Sequence, residues 1–317
     1  MTIYKLPEMT VTALPDRPLA VALGNFDGVH RGHERLLSAV REIAARIPGC
    51  VCAVWSFTTL AKDVSSIPSL TTTEEKLRHI AASGVQYAIL ENFEDMRSLS
   101  PETFAISYLY EKLHCAAAVC GFNYRFGKGG AGDADLLSSL LSPCGCSVTV
   151  VPPVVFDGRV VSSTRIRAAV AEGDMEEATA LLGRPFSICL PVVHGRKLGR
   201  TIGLPTVNQT FPEGHIIPLC GIYACACTID GCRYPAVSNV GVRPTVSAGE
   251  KVNCETHIIG YNGDLYGESI RVEFYHRLRD EMKFSSVDEL KEAIEKDILG
   301  ARSYFENHPE LVKEGES

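Results

Sequence analysis

The sequence predicts two unlike halves: an α/β half built on a parallel sheet, then a small β-barrel with a terminal helix. Three observations predict this. The chain has 317 residues, which at about 100–200 residues per domain favours two domains. Residues 1–183 alternate short apolar runs with stretches of helical periodicity, the pattern of a parallel sheet covered by helices. From residue 184 onward, strand-like runs recur at close spacing between turn residues, which favours a small barrel or sandwich.

Residues 19–23 form an apolar run ending at Gly24, the first expected strand. Residues 34–47 carry Leu36, Leu37, Val40, Ile43 and Ala44 at helical spacing. Residues 50–57 are strand-like, 73–83 read as a helix with an acidic first turn and Gly84 just after it, and 85–90 form the next strand. Then follow a helix over 101–113, a strand over 116–120, a helix over 135–141 and a strand over 147–151. A helical stretch over 168–182 ends at Gly183-Arg184-Pro185, a stop signal that marks the expected boundary between domains 1–183 and 184–310. Strands are expected over 186–194, 221–229, 234–241, 252–260 and 269–275. A helix over 286–306 closes the chain, with Ser286 as N-cap and Asp288 and Glu289 in its first turn. Residues 311–317 read as a frayed polar tail.

Hydrophobic residues make up 45% and charged residues 22%, enough apolar surface for packed cores and far from a disordered composition. The formal net charge is −7, and both halves are acidic, so a surface that coats nucleic acid is excluded. No apolar run approaches the roughly 20 residues that span a bilayer, and the first residues lack a secretory layout. The expectation is a cytoplasmic protein with neither nucleic acid nor membrane as partner. Twelve cysteines include three C-x-C pairs, Cys50/Cys52, Cys144/Cys146 and Cys225/Cys227, but no C-x-x-C. They read as small buried hydrophobes in a reducing compartment. Positive charge is local: Arg159, Arg165 and Arg167 in one stretch, Arg196, Lys197 and Arg200 in another, each without a carboxylate. Such pockets suit a compact polyphosphate.

The segment 24–33 reads G-N-F-D-G-V-H-R-G-H and lies between a strand and a helix. That is where α/β sheets bind ligands, and a helix start offers free N–H groups to a phosphate. His30 and His33 are three apart and share a helical face, and Gly32 between them allows close approach to the backbone. Two imidazoles with helix N–H groups can stabilise charge growing on a phosphoryl oxygen.

These residues resemble the H-x-G-H nucleotidyltransferase signature in the form found in bacterial bifunctional riboflavin kinase/FAD synthetases. Two further segments match in order. Residues 121–133, G-F-N-Y-R-F-G-K-G-G-A-G-D, resemble the family's flavin- and phosphate-side loop, and residues 162–167, S-S-T-R-I-R, resemble its second ATP-phosphate segment. The resemblance implies a Rossmann-like nucleotidyltransferase domain. It places Gly24, Phe26, Gly28, Ser163, Thr164, Arg165 and Arg167 on ATP, and Asn123 and Arg125 on the flavin side. Hydroxyls and arginine forks are good phosphate partners. One segment departs: the family's S-F-E-P-H-P is S-F-T-T-L-A at residues 56–61. The departure raises an alternative, a riboflavin kinase whose first domain is only a binding module.

In the second half, residues 195–208 read G-R-K-L-G-R-T-I-G-L-P-T-V-N. Gly195, Arg196, Lys197 and Gly199 belong to a glycine-rich cationic loop that can wrap phosphates. Thr206 and Asn208 lie on one side of an extended stretch and offer neutral oxygens to Mg²⁺. The segment is similar to the riboflavin kinase loop ending in P-T-A-N. It is followed in family order by G-I-Y-A at 221–224, N-V-G-V-R-P-T at 239–245, E-T-H at 255–257, D-L-Y-G at 264–267 and L-R-D-E-M-K-F at 278–284. The resemblance implies that Thr206 and Asn208 hold the Mg²⁺ of MgATP and that Glu255 is the general base. It also offers Arg279 as a flavin-side contact. A carboxylate in mid-strand among apolar neighbours is either functional or paired, here with a cation such as Arg271. His257 shares the face of Glu255 and reads as a structural hydrogen-bonding residue. The expected substrates are ATP, riboflavin and FMN, with no obligate protein partner.

Overall fold

A computed structural model of the chain describes residues 1–6, 8–58, 67–194, 203–243 and 251–311. The chain divides into two compact units, Met1–Ser163 and Thr164–Ser317.

The first unit is a seven-stranded sheet. Its strands are β1 (Thr2–Lys5), β2 (Thr10–Thr12), β3 (Leu19–Leu23), β4 (Val51–Phe57), β5 (Tyr87–Glu91), β6 (Cys115–Gly121) and β7 (Ser147–Val151). The spatial order is β2-β1-β5-β4-β3-β6-β7. The five strands from β5 to β7 are parallel, and β1 and β2 extend one edge antiparallel. Strand β3 lies at the centre and is buried throughout, because both faces are covered. Leu19, Val21 and Leu23 pack with Trp55, Phe104 and Leu109 on one face. Ala20 and Ala22 pack with Leu37 and Val40 on the other. Those last two belong to helix α1 (Arg31–Arg46), whose apolar spacing is the one read from the sequence.

Helix α2 (Thr73–Ala82) starts with a capping box: Thr72 accepts from the Glu75 N–H, and the Glu75 carboxylate accepts from the Thr72 N–H. A four-residue helix α3 (Phe93–Met96) follows β5. Residues Thr103–Lys112 wind as a π-helix rather than the expected α-helix. Its C-terminal bond runs from the Leu113 N–H to the Tyr108 carbonyl, 3.1 Å. Helix α4 (Ala134–Leu141) and a short hairpin, β8 (Val155–Phe156) with β9 (Arg159–Val160), complete the unit.

The second unit contains helices α5 (Ser163–Glu172) and α6 (Met175–Leu182), then strands β10 (Phe186–Pro191), β11 (Val207–Thr210), β12 (Gly221–Ile229), β13 (Cys232–Arg243), β14 (Lys251–Ile258) and β15 (Ser269–Arg279), and helix α7 (Val287–Asn307). All pairings are antiparallel, in the order β10-β15-β12-β13-β14-β11. Just past β10, the Val193 N–H donates to the Asn208 carbonyl at 2.8 Å, joining the two edges into a near-closed barrel. Helix α7 covers one side through Ala301 and Phe305, which pack with Ile222, Ala224 and Tyr275.

The expected domain boundary at 183/184 differs from this division. Gly183 does end α6, with φ 80° and its N–H on the Thr179 carbonyl. Yet Met175, Ala178, Leu181 and Leu182 are buried, and α6 packs on β10 and β15. The Gly-Arg-Pro signal marks the end of a helix, and the compact division falls twenty residues earlier. Of the expected frayed tail, residues 312–317 lie outside the described residues.

Candidate active sites

In the first unit the candidate site begins where β3 ends. Residues 24–30 form a tight turn, with Phe26 at φ 52°, Gly28 at φ 80° and Val29 at φ 40°. Two non-glycine residues in left-handed conformations store strain, which persists only where neighbours over-determine the backbone. Such neighbours are present. Asp27 Oδ1 accepts from the Leu70 N–H at 2.9 Å, and the Gly28 N–H donates to Thr71 Oγ1 at 3.3 Å. Ser163 Oγ donates to the Asp27 carbonyl at 2.9 Å, and Ser56 Oγ donates to the Asn25 carbonyl at 2.9 Å.

His30 is the N-cap of α1, its Nδ1 accepting from the His33 N–H at 3.2 Å. A ring nitrogen that accepts carries no proton, so the neutral His30 ring holds its proton on Nε2. The His30 and His33 rings stack with centroids 3.7 Å apart, and the Phe26 ring lies 5.1 Å from His33. Gly32 owes its identity to this stack: a Cβ there would meet His30 Cε1 at 3.0 Å. The sequence assigned that space to an approaching ligand, whereas it holds the imidazole. Gly24 is restricted in the same way, since a Cβ would lie 3.2 Å from the Phe26 ring.

Lys76, on α2, was not singled out by sequence. It is 6% exposed. Its ammonium donates to the carbonyls of Asn25 and Phe57, each at 3.0 Å. Burial pushes its pKa down to about 8, against the opposing pull of Asp27. The available signal was its position four residues before Ile80, on the stripe of α2 that faces inward.

Asn123 is exposed, and Arg125, also exposed, pairs with Asp133 at 3.4 Å. Arg165, in the second unit, pairs with Glu177 of α6 at 2.5 Å. Thr164 and Arg167 lie in the same helix as Arg165. Of the departing segment, residues 59–61 lie outside the described residues.

In the barrel, register brings the predicted residues together. Asn208 of β11 is the partner of Glu255 of β14, and Glu255 is the partner of Asn239 of β13. The row continues through Ile222 of β12 to Arg279 of β15. A cavity of about 160 Å³ is lined by Thr206, Ile222, Asn239, Glu255, His257 and Arg279, among others. Among the described residues, the Glu255 carboxylate has no hydrogen-bond or ion-pair partner; the possible pair with Arg271 is not formed. Asn208 is 6% exposed, and its Oδ1 and that of Asn239 are buried without a hydrogen-bond partner among the described residues. Asn239 is a second residue that sequence did not single out.

His257 Nδ1 donates to the Pro205 carbonyl at 2.9 Å, which fixes the backbone just before Thr206. Arg279 forms a fork on Asp297 of α7, at 2.8 and 2.7 Å, so its guanidinium ties β15 to the terminal helix. Gly195, Arg196, Lys197 and Gly199 lie outside the described residues.

The donors around Asn208 suit a hard cation. An amide oxygen buried without a donor is costly unless something electropositive occupies its front, and Thr206 supplies a second neutral oxygen two residues away. Among the described residues no cluster of three or more His, Cys, Asp or Glu could hold a metal, and no helix is long and apolar enough to cross a membrane.

A strained turn at a helix start on a parallel sheet, and an unpaired carboxylate beside buried amide oxygens in a barrel, are features that suit a transferase acting at phosphorus. Comparison with known proteins narrows this. Residues 13–165 match the FAD synthetase family model and residues 182–305 the riboflavin kinase model. The chain is 36% identical to the bifunctional riboflavin kinase/FMN adenylyltransferase of Pseudomonas fluorescens, over 90% of this chain and 93% of that protein. The enzymes of the same description from Bacillus subtilis (strain 168) and Escherichia coli (strain K12) are also 36% identical, over 90% and 92% of this chain and 92% and 94% of theirs. The chain belongs to the bifunctional riboflavin kinase/FMN adenylyltransferase family. A solved structure, named as a macrolide-efflux protein from Streptococcus pneumoniae, has the same fold: TM-score 0.80, 32% identity, 92% of this chain and 95% of that one.

Proposed function

We propose that each unit carries one of the family's two reactions. As a member of that family the chain makes FMN from riboflavin and ATP, then FAD and pyrophosphate from FMN and a second ATP. The FAD synthetase match spans the departing S-F-T-T-L-A segment, which favours the bifunctional reading over a kinase with a mute first domain.

The barrel is the riboflavin kinase. Glu255 accepts the proton of the ribityl 5′-hydroxyl as that oxygen bonds to the γ-phosphorus of ATP and ADP leaves. The observation that carries this assignment is the row Asn208–Glu255–Asn239, a partnerless carboxylate flanked by two buried amide oxygens. Thr206 and Asn208 are the residues that would hold magnesium, which when bound neutralises charge on the ATP phosphates. His257 holds Thr206 in place through the Pro205 carbonyl. The cationic loop with Gly195, Arg196, Lys197 and Gly199 is assigned to the phosphates of this ATP.

The parallel-sheet unit is the FMN adenylyltransferase. A phosphate oxygen of FMN attacks the α-phosphorus of ATP, and pyrophosphate leaves. The turn bearing Gly24, Phe26 and Gly28 takes the triphosphate, and Nε2–H of His30 donates to the oxygen that gains charge, with His33 stacked behind it. Ser163, at the end of this unit, is assigned to the same nucleotide, and Asn123 and Arg125 to FMN. The enzyme is placed in the cytoplasm, a reading supported by its twelve free thiols.

The test is a time course of riboflavin, MgATP and the full chain with the flavins resolved. FMN followed by FAD is expected. FMN alone would remove the second activity, and no FMN would remove the first.

A further inference from the structure

The turn at residues 24–30 is strained, and the chain builds a clamp for it from one continuous stretch. Leu70 and Thr71 bind the Asp27 side chain and the Gly28 N–H, and Lys76, one helical turn further on, binds the carbonyl of Asn25 from within the domain. A buried lysine carries a large desolvation cost. Its two short bonds go to main-chain carbonyls at the carboxyl ends of β3 and β4, the edge where parallel sheets bind ligands.

A trans peptide carries its C=O and N–H on opposite sides. With the Asn25 carbonyl held by Lys76 and Ser56, the Phe26 N–H is turned away from the interior. The Phe26 carbonyl accepts from the Val29 N–H, and no acceptor for the Phe26 N–H is present among the described residues. The Phe26 ring is fully buried, so the backbone pivots on a fixed anchor. Ser56 alone cannot replace the lysine, because it reaches only one of the two carbonyls.

We propose that Lys76 is a positioning residue for FAD synthesis: it locks the Asn25–Phe26 peptide so that the Phe26 N–H is presented to the triphosphate of ATP. This rests on the reading that the turn at 24–30 takes that nucleotide. Lys76 touches no substrate; it acts through the backbone it holds.

The test uses the full chain with Lys76→Met, assayed for FAD formation from FMN and MgATP, with FMN formation from riboflavin as the internal control. The expected result is a rise of roughly ten-fold or more in KM for ATP, with KM for FMN within about two-fold of wild type and FMN formation unchanged. Trp55 is the only tryptophan and lies in the first unit, so its fluorescence follows unfolding of that unit. Its transition shows whether the variant is folded at the assay temperature, since loss of the two bonds opposes relief of the buried charge. An unchanged KM for ATP in the folded variant overturns the proposal. So does an equal rise in both KM values with a lower melting temperature, the mark of a purely structural lysine. Should Lys76→Met not fold, Ser56→Ala removes the Ser56 bond to the same carbonyl and the 3.5 Å bond from Lys76 to that hydroxyl, leaving both lysine bonds to main-chain carbonyls in place. It should raise KM for ATP by roughly three-fold, and no rise overturns the proposal. His33→Ala separates the two levels. If it leaves FAD synthesis intact, the turn is not the nucleotide site and the reading beneath the proposal fails. A normal Lys76→Met beside an inactive His33→Ala overturns the role of Lys76 alone.

Discussion

Asn208 and Glu255 are direct register partners across β11 and β14, so a buried amide oxygen without a donor sits beside a carboxylate without a partner. Side chains opposite one another in an antiparallel pair have Cβ atoms about 4.5–5.5 Å apart. The buried amide oxygen costs stability while it lacks a donor, and the carboxylate beside it is half-buried.

Glu255→Gln keeps shape and removes basicity. FMN formation should fall by about 10²–10⁴-fold, while FAD formation from supplied FMN stays at the wild-type rate. Separation of flavin products from parallel assays checks this, and equal loss of both activities would refute independent sites.

Asn208→Leu removes the amide oxygen that has no donor among the described residues. The barrel should gain about 1–3 kcal/mol and lose riboflavin kinase activity. Denaturant unfolding in chelator, followed by amide exchange of the barrel strands, measures the gain. A destabilised barrel would show that Asn208 has a partner in the free enzyme.

Gly32→Ala places a methyl 3.0 Å from His30 Cε1 and presses on the ring where it stacks on His33. A misplacement of about 1 Å at a reacting centre costs on the order of 10²-fold, and a smaller displacement of the ring costs less, on the order of 10-fold. FAD formation should drop by about 10-fold, and FMN formation should not change. An unaltered FAD rate would show that the position of the His30 ring is immaterial.

Lys76 also gives a pH signature. Its folded pKa of about 8 lies below the ordinary lysine value, because burial outweighs the attraction of Asp27 and the hydroxyl of Ser56 is uncharged. Below pH 8 both folded and unfolded chains hold the proton, and the burial cost is paid in full. Between about pH 8 and 10 the unfolded chain binds more protons, so this residue's contribution to stability rises with pH, by about 1.4 kcal/mol per unit at most. Thiols and phenols raised by burial, such as Cys52, Cys120 and Tyr108, act in the opposite direction. They are common to wild type and Lys76→Met and cancel in the difference. Trp55-monitored unfolding at pH 7, 8, 9 and 10 should show wild type gaining on Lys76→Met across that window. A constant difference would mean that Lys76 is not desolvated.

The alternation of β3, α1, β4, α2 and β5 was legible because apolar periods of 2 and 3.6 are written residue by residue. The closely spaced strands of the barrel were legible for the same reason. The edge strands β1 and β2 were not, because β2 is exposed throughout and carries no burial pattern. The helix at 103–112 was visible, but its π winding is a matter of hydrogen-bond register that apolar spacing does not encode. In the sites, His30, His33, Thr206, Asn208 and Glu255 stood out by residue type and order. Lys76 and Asn239 did not: a lysine in a helix and an asparagine in a strand are commonplace, and their significance lies in burial and in neighbours distant along the chain. Arg279 was read as a flavin contact, and its fork on Asp297 depends on a helix eighteen residues away.

Among the described residues, the barrel's two outermost strands are stitched by one bridge, at Val193 and Asn208, where other neighbours are zipped along their length. A seam with so few rungs opens at the least cost. The Asn208 amide, proposed above to hold a metal, hangs from that stitch, so a bound ion would fasten the cylinder at its thinnest seam.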